Sequence, residues 1–228
     1  MSDRPTVLVT CPPMLGMIDA FEDRFEHHGL ALTAASVVQT LSEEELCELL
    51  PRHDGWIIGD DPATQKVFEA GKAGRLRAAV KWGIGVDNVD FQACRALDIP
   101  ITNTPDMFGA EVADLALGYV IALARETFSI HAGVVDGEWP KPQGISLAGK
   151  TVALVGLGDI GKHLVVRLKA CDMRVIGYDP YASDAPELSG VERAAWPDRL
   201  GEADFVVITC ALTDSSHHMV NAETLAAM

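Results

Sequence analysis

Gly156, Gly158 and Gly161 stand in the run Gly156-Leu157-Gly158-Asp159-Ile160-Gly161, directly after the apolar stretch Val152-Ala153-Leu154-Val155 and before helical positions Lys162, Leu164 and Leu168. A strand running into a helix through this GxGxxG spacing can seat a diphosphate. The first glycine permits the tight turn, the second lets backbone approach the pyrophosphate, and the third lets the helix pack on the strand. The amides of Asp159, Ile160 and Gly161 at the helix start then face the anion. A second apolar run, Met173 to Tyr178, ends at Asp179, 23 positions after Gly156. A carboxylate there would accept hydrogen bonds from a ribose 2′-hydroxyl and repel a 2′-phosphate, so NAD is expected over NADP. An ordinary strand-to-helix turn, with Asp179 opening a turn at Pro180, would use the same glycines. Strand, helix and terminal acid in register favour the dinucleotide. Asp159 suits the helix dipole yet stands close to an incoming diphosphate, and is expected to weaken cofactor affinity.

The elements that would position this turn follow a βα rhythm. Strands are predicted at Thr6–Cys11, Ala31–Ala35, Gly55–Ile58, Ala79–Trp82 and Ile99–Thr102, and helices at Met14–His28, Ser42–Leu50, Thr64–Ala73 and Val89–Leu97. Ser42 followed by Glu45 is a capping box. A long apolar-periodic helix from about Phe108 to Phe128 precedes a Gly- and Pro-containing loop, Gly133–Gly149, which reads as a connector into a second series. That series runs through Thr151–Val155, the helix Asp159–Ala170, Arg174–Tyr178 and Phe205–Cys210 to a helix beginning near Asn221.

Composition narrows the classes. With 228 residues and 48% hydrophobic content, the chain is globular. A formal net charge of −15 repels a phosphate backbone, so nucleic acid is not an expected partner. Five cysteines (Cys11, Cys47, Cys94, Cys171, Cys210) lie far apart with no CxxC pair and no metal-ligand spacing, which fits a reduced cytoplasm and no metal. Met1 to Cys11 carries Asp3, Arg4 and Pro5 before a short apolar run, so neither a signal peptide nor a membrane span is expected.

Several further segments occur in one order: Gly83-Ile84-Gly85-Val86-Asp87-Asn88-Val89-Asp90, Asn103-Thr104-Pro105, Val112-Ala113-Asp114, Gly137-Glu138-Trp139, Leu147-Ala148-Gly149-Lys150, the glycine fingerprint, and Ala203-Asp204-Phe205-Val206-Val207 leading to Leu212-Thr213. In this the chain resembles the D-isomer-specific 2-hydroxyacid dehydrogenases over nearly its whole length. The resemblance implies two Rossmann-like parallel-sheet α/β domains: a flavodoxin-like substrate domain over residues 1 to 103, and an NAD-binding domain from 104 to 228 that is incomplete at its C-terminus. It implies that Gly83, Ile84 and Gly85 hold a substrate carboxylate by their backbone N–H groups, with Ile84 beside the nicotinamide. By residue pattern alone this loop also reads as a glycine turn capping a helix near Val89, with Asp87 or Asn88 as N-cap, and the two readings can hold together. Cys210 falls where the family's strand end meets the cofactor, a packing role that a merely buried thiol would fill as well.

Where the family commonly has glycine, glutamate, a basic residue and proline, this chain has Asp106, Asp114, Asp159 and Ala211. The family's Arg, Glu or Asp, and catalytic His are expected beyond Met228. None of the seven histidines takes the base's role by position; His217 and His218 are the substitutes worth testing. The expected function is NAD-dependent interconversion of a D-2-hydroxy acid and its 2-oxo acid. A catalytically silent NAD-binding sensor, and a truncated product with an exposed sheet edge, are the alternatives. The substrate would be a small 2-hydroxy or 2-oxo acid of unspecified side chain. A homodimer is expected through the apolar face of Leu115, Leu117, Tyr119, Ile121 and Leu123.

Overall fold

The computed structural model describes residues 4–228; Met1–Asp3, which open the stretch read for a leader, lie outside the described residues. The chain divides into two compact units, one ending at Met107 and the other beginning at Phe108.

The first unit carries β1 (Thr6–Val9), β2 (Ala31–Ala34), β3 (Gly55–Ile58), β4 (Ala78–Lys81) and β5 (Ile101–Asn103). All pair in parallel in the order β2-β1-β3-β4-β5, the flavodoxin-like arrangement. The connections hold α1 (Pro12–Leu15), α2 (Asp19–His27), α3 (Glu43–Leu49), α4 (Gln65–Ala73) and α5 (Phe91–Ala96). One face of the sheet buries Leu8, Trp56 and Ile58 against Leu46, Leu50 and Phe68 of the covering helices and turn. The other buries Val9, Cys11 and Met14.

Three helix expectations are corrected here. The single helix over Met14–His28 is two helices, because Pro12 and Pro13 start a short turn that ends at Gly16 before α2 begins. The helix near Val89 begins at Phe91, and its N-cap is Asp90, which accepts from the Ala93 N–H, and not Asp87 or Asn88. In the second unit the long helix stops at Glu126, whose φ of 54° is left-handed, giving α6 (Gly109–Arg125) and α7 (Thr127–Val135). The Ser42 capping box is present, with Ser42 Oγ and Glu45 exchanging hydrogen bonds.

The second unit continues with β6 (Thr151–Val155), α8 (Asp159–Ala170), β7 (Arg174–Tyr178), β8 (Glu192–Arg193), β9 (Phe205–Ile208) and α9 (Ala222–Ala226). Its parallel order, β8-β7-β6-β9, matches the first four strands of the doubly wound dinucleotide-binding sheet. Every residue of β6 is buried. Val152 and Leu154 meet Leu164 and Leu168 of α8 on one face, and Ala153 and Val155 meet Ile176 and Tyr178 on the other. A strand covered on both faces reads as a continuous apolar run. The two-residue β8 has no such run, so apolar patterning does not reveal it. Among the described residues no helix is long and apolar enough to cross a membrane.

Candidate functional site

The glycine turn is built from the centre of the second sheet. Gly156 leaves β6 with a φ of 93°, donating its N–H to the Tyr178 carbonyl at 2.9 Å. A Cβ on Gly156 would come within 2.6 Å of the Cys210 nitrogen. Thr209 Oγ1 fastens the same corner by donating to the Val155 and Gly156 carbonyls at 3.1 and 2.9 Å. Leu157 buries its side chain against Gly177 of β7. At Gly161 a Cβ would collide with the Gly156 carbonyl, so helix and turn touch there without side chain between them.

Gly158 differs from both. It is the N-cap of α8 with an ordinary negative φ, and a Cβ placed on it meets no atom within 4 Å. Protein packing does not require glycine at this position. The space above it stands at a helix start, where the N–H groups of Asp159, Ile160 and Gly161 have no partner one turn earlier and the dipole favours an anion. Asp179, at the end of β7, accepts from the Leu157 N–H at 2.9 Å and from the Tyr181 N–H at 2.8 Å, so its carboxylate lies against the turn. These residues fit a dinucleotide: an open cradle for a diphosphate, with an anchored acid at the neighbouring strand end.

Cys210 supplies the floor of the Gly156 corner through its backbone, and its Sγ lies 3.8 Å from Met219 Sδ. Burial pushes its thiol pKa up and the Asp179 carboxylate adds to the rise, so it is a poor nucleophile. The Asp159 carboxylate turns against Gly109 at the start of α6 and lies 3.6 Å from His163 Nε2. Asp114 is the partner of Arg167, which also donates to the Ala110 carbonyl and so holds α6 to α8.

In the first unit, Gly83 (φ 125°) opens the loop after β4. Its N–H is donated to Thr104 Oγ1 at 2.8 Å. Ile84 is 46% exposed, and its carbonyl accepts from Asn103 Nδ2 at 3.3 Å. Beneath the loop lies Lys81, a buried ammonium that donates to the Gly59 carbonyl at 2.6 Å and to Asp60 at 2.9 Å. Asn88 Nδ2 also reaches the Gly59 carbonyl at 3.1 Å, and the Asp61 carbonyl at 2.7 Å. Lys81, Asn88 and Thr104 therefore fix this loop to the ends of β3 and β5. Sequence reasoning assigned none of them that task; a lysine inside an otherwise apolar parallel strand was the available signal.

The histidines are dispersed. His27 and His28 stack edge to face at the end of α2, His53 Nδ1 lies 2.9 Å from the Leu49 carbonyl, and His131 is inside α7. His217 and His218 pack ring to ring in the loop after β9.

Residues 117–228 match the family model for the D-isomer specific 2-hydroxyacid dehydrogenase, NAD binding domain. The D-3-phosphoglycerate dehydrogenase of Methanocaldococcus jannaschii is 36% identical over 197 residues, 84% of this chain and 37% of that protein. The hydroxypyruvate reductase of Thermotoga maritima is 34% identical over 82% of this chain and 61% of its own length. Among solved structures, the TT0316 protein of Thermus thermophilus superposes with a TM-score of 0.82 at 30% identity, covering 98% of this chain and 70% of that one. The NAD+-bound 3-phosphoglycerate dehydrogenase of Entamoeba histolytica shares the fold, with a TM-score of 0.78 at 20% identity over 98% of this chain and 68% of that one.

The chain belongs to the D-isomer specific 2-hydroxyacid dehydrogenases. Its second unit carries the family's NAD-binding domain. The chain spans from about a third to three fifths of the length of these curated relatives.

Proposed function

We propose that this protein contributes the NAD-binding half of the interconversion of a D-2-hydroxy acid and its 2-oxo acid. The observation that carries the reading is the contrast at the turn: glycine is forced by packing at Gly156 and Gly161, but at Gly158 only an incoming ligand needs the space. NAD, when bound, supplies the hydride acceptor. The backbone at Gly158–Gly161 holds the diphosphate, and Asp179 takes the ribose hydroxyls while opposing a 2′-phosphate. Cys210 packs beside the cofactor as a neutral thiol. The amides of Ile84 and Gly85 receive the substrate carboxylate, with Gly83 bound to Thr104 as the hinge of that loop.

Oxidation of the hydroxyl carbon also needs a base for the hydroxyl proton and a cation to polarise the carbonyl. The similarity to a D-3-phosphoglycerate dehydrogenase and a hydroxypyruvate reductase supports a small 2-hydroxy or 2-oxo acid as the substrate. A homodimer is supported by the half-exposed Leu115, Tyr119 and Leu123 of α6. Five free cysteines support a reducing compartment such as the cytoplasm. Titrating the protein with NADH and NADPH tests the cofactor assignment: we expect NADH to bind well ahead of NADPH, and equal affinities would remove it.

A further inference from the structure

We propose that Asp159 is a resident anion at the cofactor turn, setting NAD affinity below what the turn would otherwise give while stabilising the unit without cofactor. This rests on the reading that the diphosphate binds at Gly158–Gly161. Asp159 is the first residue of α8 and follows directly on the open Gly158. Its carboxylate is only 16% exposed, and it faces the start of a second helix: a Cβ on Gly109, the first residue of α6, would run into the carboxyl group. The N-cap of α6, Phe108, gives that helix no side-chain cap. Two helices of 12 and 17 residues thus begin beside one fixed carboxylate. Each helix start carries partial positive charge, so the carboxylate is favoured by both when no other anion is present. His163, one turn along α8, adds a third favourable neighbour when it is protonated.

A diphosphate entering beside Gly158 meets this field after part of it has been neutralised, and it meets a like charge at close range in a partly buried setting. Adenosine, with no phosphate, would not meet that opposition. Affinity and apo stability are therefore set against each other at one side chain.

The test compares Asp159→Asn and Asp159→Ser with the unmodified protein and with Gly158→Val. NADH, ADP-ribose and adenosine are each titrated by calorimetry, and thermal midpoints are taken without ligand. We expect both Asp159 variants to bind NADH and ADP-ribose roughly tenfold more tightly, to bind adenosine unchanged, and to melt at a lower temperature. Unchanged or weaker diphosphate binding in both variants, with Gly158→Val still abolishing it, overturns the role of Asp159 and leaves the cofactor site standing. Equal tightening for adenosine would also overturn it, since the effect would then not act on the diphosphate. Retained NADH binding in folded Gly158→Val overturns the site itself.

Discussion

Gly156 and Gly158 are glycines for opposite reasons, and each reason yields a separate measurement. At Gly156 the left-handed φ and the Cys210 backbone leave no room for a methyl group, so Gly156→Ala should destabilise the protein by roughly 3 kcal/mol in urea unfolding. Gly158→Ala should change stability by no more than about 0.5 kcal/mol, since nothing lies within reach. Asp106 gives a third residue-level expectation. It sits at φ 56°, where glycine is at ease, and this explains why the resemblance places glycine there. Asp106→Gly should stabilise the fold by about 1 kcal/mol through relief of that strain, read as a higher urea midpoint at unchanged slope. For Asp179→Ala, NADH affinity should fall about tenfold or more while NADPH affinity holds or rises, which narrows the preference. The glycine spacing and the terminal acid were legible in the sequence because each is a local pattern. Lys81 and Thr104 were not, because their partners lie 21 and 22 positions away and only the packed sheet brings them together.

Among the elements, one device occurs in both units. Asp54, just before β3, accepts from the Thr6 N–H at the start of β1 and pairs with Arg75. Asp204, just before β9, accepts from the Thr151 N–H at the start of β6 and pairs with Lys150. Burial raises the Asp54 carboxyl, but the Thr6 amide and Arg75 outweigh it, and its pKa lies below the ordinary 3.8. The Thr151 amide, then Lys150, bring Asp204 below the same value. A folded pKa below the unfolded one means the stabilisation is complete above the unfolded value and is lost as pH falls through the folded one. We expect the urea midpoint to be steady down to about pH 5 and to drop below about pH 4. Asp204→Asn should lower stability at neutral pH and make the acid limb shallower; an unchanged limb would mean the carboxylate contributes nothing. Strand positions were legible because parallel strands covered on both faces are apolar runs. Helix ends were less so: Pro12-Pro13, the left-handed Glu126 and the Asp90 cap each redirect the chain through backbone geometry that apolar periodicity does not encode.

For the whole molecule, the first unit has the flavodoxin-like order and the second the first four strands of a dinucleotide sheet. The two βα series were visible in the sequence, but the Gly133–Gly149 segment read as the connector between them lies inside the second unit, which begins at Phe108, and its first residues belong to α7; the strand orders came only with the structure, since periodicity does not say which strands pair. Light scattering should give twice the chain mass if the exposed α6 face joins two copies, and Leu115→Glu with Leu123→Glu should return the monomer. The histidines are dispersed over the two units, and the one on α8, His163, faces Asp159. We expect the 228 residues alone to bind NADH yet show no appreciable NAD-linked oxidation of glycerate, lactate or phosphoglycerate, a deficit of at least ~10²-fold if no histidine among them serves as the base. The central claim is that NAD sits on the turn Gly156–Gly161, and the most direct measurement is an NADH titration of Gly158→Val beside the unmodified protein, with unfolding curves for both. Abolished binding at unchanged stability is the expected result; undiminished NADH affinity in the folded variant would contradict it.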